Sequence, residues 1–167
     1  SGANWVLGTT SSGELIYVGQ DAGLAYDQYP LPEGSGFTSA DISNNLTGAG
    51  VISCAAIKDG SVITWGYPLT PPSPLDQNPY VQVSIETSYG VALRADGRAV
   101  RFQNSGQQDS LSTYRSVQQG PGDIWFGIDV GGRYRQQDQL IPGFDQNDTL
   151  HLSTEPSLVI REHTPAH

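Results

Sequence analysis

A short polar motif recurs through this chain of 167 residues: an aspartate, usually followed by a glutamine, placed after an apolar segment. A carboxylate beside an amide can accept and donate hydrogen bonds to vicinal hydroxyls, and a nearby aromatic ring can stack on a sugar. The motif therefore predicts repeated carbohydrate sites in loops. The candidate ligand residues are Tyr26, Asp27, Gln28, Tyr29, Tyr67, Asp76, Gln77, Asp109, Phe144, Asp145 and Gln146.

The same motif also has a structural interpretation. Aspartate side chains commonly fold back onto backbone amides in turns, so a repeated Asp-Gln pair is also typical of the linker between repeats. Sequence alone leaves both interpretations open.

Residues suited to catalysis are scarce. The histidines are His151, His163 and His167, and the single cysteine, Cys54, lies in an apolar run. The sequence holds no nucleophile elbow, zinc-protease motif or phosphate loop, and the acidic stretch 145–148 lacks EF-hand spacing. We therefore predict no catalytic residue, no metal and no cofactor. Paired carboxylates for glycoside hydrolysis stay open, because pairing in space is invisible in a sequence.

Charge narrows the classes of partner. The formal net charge is −9 and charged residues make up only 15% of the chain. Nucleic acids are held mainly by cations on phosphates, so a nucleic-acid partner is disfavoured. No apolar stretch approaches the roughly 20 residues that span a bilayer, so no membrane insertion is expected. Glycans or a protein remain as partners, and both a secreted and a cytoplasmic location stay open.

The main architectural signal is a repeat of roughly 40 residues. Four segments pair two apolar strands around a tight turn that ends in glycine, at Gly13, Gly60, Gly97 and Gly132. Glycine supplies the positive φ that tight hairpins need. Further short strands are predicted before three of the hairpins, at 37–43, 80–85 and 114–118. No segment has a sustained helical stripe, so helix content should be very low.

These units predict an all-β fold, a single domain over 1–167 forming a small β-propeller of about four blades. The first hairpin lacks a preceding strand, and predicted strands at 149–154 and 157–161 lack a following partner. Joined, the two termini would form one composite blade and close the ring without exposed edges. A ring shared by two chains, and so a homo-oligomer, is the alternative.

Two stretches carry a family resemblance. Residues 83–97 read VSIETSYGVALRADG and residues 56–66 read AIKDGSVITWG. These strings resemble the repeat of the regulator of chromosome condensation superfamily, and a partial match extends over 37–135. The resemblance implies a β-propeller, although the family's usual seven blades exceed this chain. It does not transfer a function or any functional residue, since the superfamily covers exchange factors, ubiquitin-ligase modules, photoreceptors and an enzyme inhibitor.

The leading functional hypothesis is an acidic, multivalent, lectin-like propeller whose repeated shallow sites bind carbohydrate. The first alternative is a protein-binding or inhibitor propeller with an aromatic face. The second is an enzyme that uses loop carboxylates. An enzyme would gather unmatched acidic residues in one deep cavity, whereas a multivalent lectin would spread them evenly, so the structure can discriminate between them.

Overall fold

The structure, a computed structural model, describes residues 5–19, 23, 27–43, 52–73, 78–141, 149–152 and 159–162. Within these residues helical conformation is confined to Gly23, Asp27 and Gln28, and strands dominate the rest. The strands are β1 (Trp5–Thr9), β2 (Leu15–Gly19), β3 (Phe37–Ile42), β4 (Ser53–Lys58), β5 (Ser61–Gly66), β6 (Tyr80–Glu86), β7 (Tyr89–Arg94), β8 (Arg98–Gln103), β9 (Gly106–Gln119), β10 (Trp125–Asp129), β11 (Tyr134–Gln136), β12 (Gln139–Leu140), β13 (Thr149–Leu152) and β14 (Val159–Glu162). The all-β prediction is confirmed.

The strands form four antiparallel sheets, in the orders β1-β2, β3-β4-β5, β12-β11-β10-β9-β8-β7-β6 and β13-β14. The long strand β9 belongs to two units, because its first part pairs with β8 and its second part pairs with β10. The seven-stranded sheet is therefore two smaller sheets that share one strand. All four predicted hairpins are present, as β1–β2, β4–β5, β7–β8 and β10–β11.

The predicted composite blade is absent from the strand pairing. Among the described strands, β1–β2 and β13–β14 each form a two-stranded sheet and do not pair with one another. No sheet closes on itself in this part of the chain. The strand order of the described residues therefore does not show a closed ring of four blades.

The turn glycines join successive sheets. Gly13, Gly60, Gly97 and Gly132 have φ of 77°, 73°, 86° and 82°, which confirms the predicted positive φ. The carbonyls of the first three accept a hydrogen bond from the first residue of the next sheet. These bonds come from the backbone amides of Phe37, Tyr80 and Tyr114, at 2.9, 2.8 and 2.7 Å.

This junction predicts a large penalty for a side chain at Gly60. A Cβ there would lie 2.5 Å from the Cβ of Pro79, in a backbone with φ of +73°. We expect Gly60→Ala to lower the free energy of unfolding by about 2 kcal/mol. Gly36→Ala is the matched control, because its φ is +91° but nothing lies within 4 Å of the added Cβ. It should cost only about 1 kcal/mol in urea unfolding, and equal losses would contradict the proposed contact.

The core lies between successive sheets in three apolar clusters. The first joins β1–β2 to β3–β5, the second joins β3–β5 to β6–β8, and the third joins β7–β8 to β9–β10. Cys54 belongs to the first cluster and is fully buried, as the apolar run around it predicts. Burial raises the pKa of its thiol to about 12, so it serves as a small apolar group.

The first strands of three successive sheets are also linked through one recurring position. Asp41 of β3 accepts hydrogen bonds from the Ser84 hydroxyl (2.8 Å) and the Ile85 amide (2.9 Å) of β6. Ser84 in turn accepts from the Gln118 side chain (3.0 Å) and the Gln119 amide (3.1 Å) of β9. Burial raises the pKa of Asp41 although these hydrogen bonds act to lower it. The strands β3, β6 and β9 are therefore linked one to the next at corresponding positions, which gives a constant offset between successive sheets.

Candidate functional site

Of the predicted Asp-Gln residues, Asp27, Gln28 and Asp109 lie in the part of the chain that the structure describes. Asp27 and Gln28 are exposed in the connection between β2 and β3, and Tyr67 is exposed after β5. Tyr29 is half-buried, and its carbonyl accepts a hydrogen bond from Tyr17 Oη at 2.9 Å. Six of the candidate residues lie outside the described residues: Tyr26, Asp76, Gln77, Phe144, Asp145 and Gln146.

Asp109 has a different environment from the one the motif predicts. It lies within strand β9, not in a loop, so the expectation of four equivalent loop aspartates is wrong at this position. Its carboxylate binds Arg94 with both oxygens, at 3.1 Å to Nη1 and 3.1 Å to Nη2. Arg94 is only 7% exposed. The Asp109 carboxylate therefore neutralises a buried guanidinium.

A polar cleft of about 290 Å³ opens beside this pair. It lies where strands β8 and β9 meet β10 and the turn between β11 and β12. We call it the polar cleft. Its lining residues are Arg101, Gln108, Asp109, Ser110, Asp123, Trp125, Gln137 and Asp138.

The aspartates that line the polar cleft are already paired. Besides the Asp109–Arg94 pair, Asp123 lies 3.6 Å from Arg101, and Asp138 accepts bonds from three donors. The donors to Asp138 are the amides of Leu111 (3.0 Å) and Ser112 (3.1 Å) and the hydroxyl of Tyr114 (2.6 Å). Asp109 and Asp123 are therefore paired with arginines, whereas the Asp138 carboxylate is held by neutral hydrogen-bond donors.

The turn that carries Gln137 and Asp138 has unusual backbone geometry. The two residues have φ of 48° and 67°, which non-glycine residues adopt only at a cost. Their conformation suits a two-residue hairpin turn and directs the Asp138 carboxylate onto β9. Burial raises the pKa of the Tyr114 hydroxyl, and its bond to the Asp138 carboxylate raises that pKa further. The phenol therefore stays a hydrogen-bond donor throughout the physiological range.

Tyr114 also fixes the aromatic wall of the polar cleft. The ring of Trp125 packs edge to face on the ring of Tyr114, with centroids 5.1 Å apart and planes at 73°. Trp125 is buried and β10 pairs with β9 beside it. One wall of the cleft is thus held in place by packing and by the Asp138 hydrogen bond together.

Arg101 contributes a cationic side chain to the lining of the polar cleft. It follows Gly97 by the same number of residues as Tyr17 follows Gly13 and Thr64 follows Gly60. At the first of these positions, Tyr17 Oη accepts a hydrogen bond from Trp65 Nε1 (3.1 Å), so aromatic rings fill the space. Arg101 puts a guanidinium there, and this guanidinium lines the polar cleft.

The Nε atom of Arg101 is an unused hydrogen-bond donor in the described part of the chain. This atom is buried and has no hydrogen-bond partner there. The Cζ of Arg101 lies 5.3 Å from the centroid of the Tyr89 ring, which holds the guanidinium over an aromatic face. A buried, unpaired N–H is costly, and because this Nε is closed to solvent an acceptor reaches it only if the guanidinium moves.

Sequence reasoning missed Arg101, although a signal was present. It is a charged residue inside the apolar strand segment 99–102, where Ala99, Val100 and Phe102 are all buried. A cation on the inward side of a predicted strand is expensive unless it is paired or used.

Asp129, on β10 next to the cleft, is structural. It is buried, and it accepts hydrogen bonds from Arg133 Nε (2.9 Å) and Arg135 Nε (2.8 Å) and from the backbone amide of Gly131 (2.9 Å). Burial acts to raise its pKa, but the hydrogen bonds and charges of Arg135 and Arg133 outweigh burial and lower the pKa to about 2.

This depressed pKa predicts a loss of stability in acid. Because the folded pKa is about 2 and the ordinary value is 3.8, the ionised Asp129 stabilises the fold above pH 4. That contribution, about 2 kcal/mol, is lost as the pH falls from 4 towards 2. Asp129→Asn should therefore lower the free energy of unfolding at pH 7 and flatten its decline between pH 4 and 2. Urea unfolding of the wild type and of Asp129→Asn at pH 7, 4 and 2 measures this. Parallel declines of the unfolding free energy in the two proteins would contradict it.

Comparisons with known proteins give the fold and little else. No protein-family model matches the chain, and no curated protein matches it. Among solved structures, the chain is similar to human WBSCR16, with a TM-score of 0.57 and 14% identity. The similarity covers 81% of this chain and 45% of that chain, so this chain spans less than half of WBSCR16. At this identity the likeness concerns the fold alone.

Two kinds of feature are absent from the described part of the chain. No group of three or more His, Cys, Asp or Glu side chains there is arranged to hold a metal ion. No helix in the same residues is long and apolar enough to cross a membrane.

Proposed function

We propose that this chain is a carbohydrate-binding module built from propeller-type blades, with the polar cleft as its ligand site. The observation that carries the proposal is the convergence of three aspartates, two glutamines, a serine and Arg101 beside Trp125.

The repeat supports the propeller-type arrangement. Three turn glycines bond to the first strand of the next sheet, and Asp41 and Ser84 link three first strands in the same way. A constant offset from one sheet to the next is what a radial array of blades requires. The resemblance to the regulator of chromosome condensation repeat agrees with this arrangement, which here is an open series of blades.

The chemistry of the polar cleft favours a neutral polyhydroxylated ligand. Glutamine amides and paired carboxylates supply both acceptors and donors for vicinal hydroxyls. Two of the three carboxylates that line the cleft, Asp109 and Asp123, each face an arginine, which leaves their remaining lone pairs to accept from hydroxyls. The volume of about 290 Å³ lies at the small end of ligand pockets, which fits one sugar ring and not a long chain.

The arrangement does not favour catalysis. Glycoside hydrolysis needs one carboxylic acid able to give up a proton and a second carboxylate free to act as base or nucleophile. Here Asp109 is held by Arg94, and Asp138 is held by Tyr114 and two amides. We therefore propose a binding function in preference to an enzymatic one, which is also the order in which the sequence ranked them.

A glycan array followed by titration calorimetry tests the proposal. Gln108 is exposed on β9 and lines the polar cleft, whereas Gln28 is exposed in the predicted Asp-Gln loop far along the chain. For a neutral sugar that the array selects, Gln108→Ala should raise Kd about tenfold, and Gln28→Ala should leave it within a factor of two.

The array and the two variants also separate the rival interpretations. Loss of binding in Gln28→Ala, with binding kept in Gln108→Ala, would return the site to the Asp-Gln loop. An array without any bound glycan would overturn carbohydrate binding and bring protein binding forward.

A further inference from the structure

A second, smaller hollow adjoins the polar cleft. It has a volume of about 170 Å³, and its lining residues are Arg101, Gln103, Ser105, Gly106, Gln107 and Gln108. Arg101 and Gln108 line both spaces. The two spaces are therefore neighbours that share a wall. We call the second one the hairpin hollow, because strands β8 and β9 and the turn between them form it.

The strand register places the shared wall and the hairpin hollow on one face of the β8–β9 hairpin. Arg101 pairs with Gln108, and two residues further along β8 Gln103 pairs with Gly106. Residues that pair across two strands, and residues two apart along one strand, lie on the same face of a sheet. The step from the first pair to the second is about 7 Å, which is the length scale of one sugar ring.

Gly106 keeps this face open in the hairpin hollow. It lies opposite Gln103 and has no side chain, and a Cβ built on it would have no atom within 4 Å. Its φ of +142° also favours glycine. The space beside the Gln103 amide is therefore not filled by the strand that faces it.

The Gln103 amide gives the hairpin hollow a polar group of fixed orientation. Its Nε2 donates a hydrogen bond to Ser105 Oγ at 2.6 Å. This bond uses one N–H of the amide, so the second N–H and the carbonyl oxygen remain for a ligand. One donor and one acceptor on the same group suit vicinal hydroxyls, as the amides of the polar cleft do.

The hairpin hollow is held in shape by the irregular segment that follows β5. Asn104 Nδ2 donates to the Pro68 carbonyl, and Asn104 Oδ1 accepts from the Thr70 amide, both at 2.9 Å. Gln107 Oε1 accepts from the Ser73 amide at 2.9 Å. The tip of the β8–β9 hairpin is thus anchored before a ligand arrives, which lowers the free energy that binding spends on ordering.

We infer that the site binds two adjacent neutral sugar units, one ring in the polar cleft and the next in the hairpin hollow. Arg101 and Gln108 lie at the junction between the two rings, because they line both spaces. This inference rests on the proposed function, since it names the class of ligand for the same site. A single ring in the polar cleft leaves the Gln103 amide unused, so a disaccharide should bind more tightly than its monosaccharide.

Titration calorimetry with matched pairs of sugars tests the inference. The probes are glucose with cellobiose and maltose, mannose with mannobiose, galactose with galactobiose, and N-acetylglucosamine with chitobiose. In at least one pair, the wild type should bind the disaccharide about tenfold more tightly than the monosaccharide. For that pair, Gln103→Ala should raise the Kd of the disaccharide about tenfold and leave the Kd of the monosaccharide within a factor of two.

Two further variants locate the second ring. Gln108→Ala should weaken the binding of both members of the pair, because Gln108 lines both spaces. Ser105→Ala removes the hydroxyl that orients the Gln103 amide, and it should raise the Kd of the disaccharide alone by about threefold. Ser105 is exposed in the turn, so this variant keeps the test valid if Gln103→Ala disturbs the strand. Urea unfolding midpoints verify that each variant is folded.

The possible outcomes distinguish this inference from the proposed function. Monosaccharides that bind as tightly as their disaccharides would overturn the inference and leave the polar cleft as a site for one ring. A preference for a disaccharide that neither Gln103→Ala nor Ser105→Ala reduces would also overturn it, because the second ring would then lie elsewhere. A protein that binds none of these sugars, and no glycan on the array, would overturn the proposed function and this inference together.

Discussion

Gly90→Ala is expected to lower the free energy of unfolding by about 3 kcal/mol. A Cβ on Gly90 would lie 2.3, 2.7 and 2.7 Å from three ring atoms of Phe102, its cross-strand partner. The Phe102 ring is buried in the cluster between the second and third sheets and has little room to move. Overpacking at that point separates two successive sheets, and chemical denaturation measures the loss.

Two variants show whether the Phe102 ring is the cause. Gly8→Ala is the matched control, because Gly8 is also in a strand and nothing lies within 4 Å of its added Cβ. We expect it to change stability by less than about 0.5 kcal/mol. Combining Gly90→Ala with Phe102→Leu should recover part of the loss, so that the two changes are not additive. Strict additivity would contradict the packing described for this sheet interface.

Asp109→Ala is expected to cost roughly 2–3 kcal/mol of unfolding free energy and to weaken ligand binding in the polar cleft. The stability loss follows because Arg94, almost fully buried, loses both of its bonds to a carboxylate. Breaking a fully buried pair costs more, but the Asp109 side chain is 42% exposed and water partly replaces it. The loss is measured by urea unfolding at pH 7.

The double variant Asp109→Leu with Arg94→Met distinguishes the cost of burying an unpaired charge from the cost of lost packing. It removes both charges and keeps apolar volume, so it should be more stable than Asp109→Ala. Ligand binding should stay weak in it, because the lining has lost the Asp109 carboxylate. An Asp109→Ala protein as stable as the wild type would show that Arg94 does not need this partner. That result would contradict the description of the Asp109–Arg94 pair as a structural support of the polar cleft.

The hairpins and their junctions could be predicted from the sequence because their signals are local. Asp59-Gly60 and Asp96-Gly97 between apolar runs specify tight turns, and both turns are present with positive φ at the glycine. The extent of β9 could not be predicted in the same way. Its first four residues, 106–109, are all exposed and lack apolar alternation, so this stretch resembles a loop. It is a strand because it lies along the edge of β8, a long-range cause that composition does not record.

The candidate site was predictable only in its chemistry. The sequence predicted carboxylates and amides that hydrogen-bond to sugar hydroxyls, and the polar cleft offers groups of that kind. Its members come from β8, β9, β10 and the turn after β11, so no repeat unit contains them together. Motif counting favoured the recurrent Asp-Gln pair, whereas the polar cleft contains Arg101 at the position where the first hairpin has Tyr17.

The most direct test of the proposed site is to map ligand contacts by amide chemical shifts in the ¹⁵N-labelled protein during titration with a neutral sugar selected by the array. Binding in the polar cleft predicts the largest shifts at the amides of 108–110, 123–125 and 137–138, together with the Arg101 Nε–H resonance. Shifts centred on Asp27 and Gln28, with the cleft amides unchanged, would contradict the account.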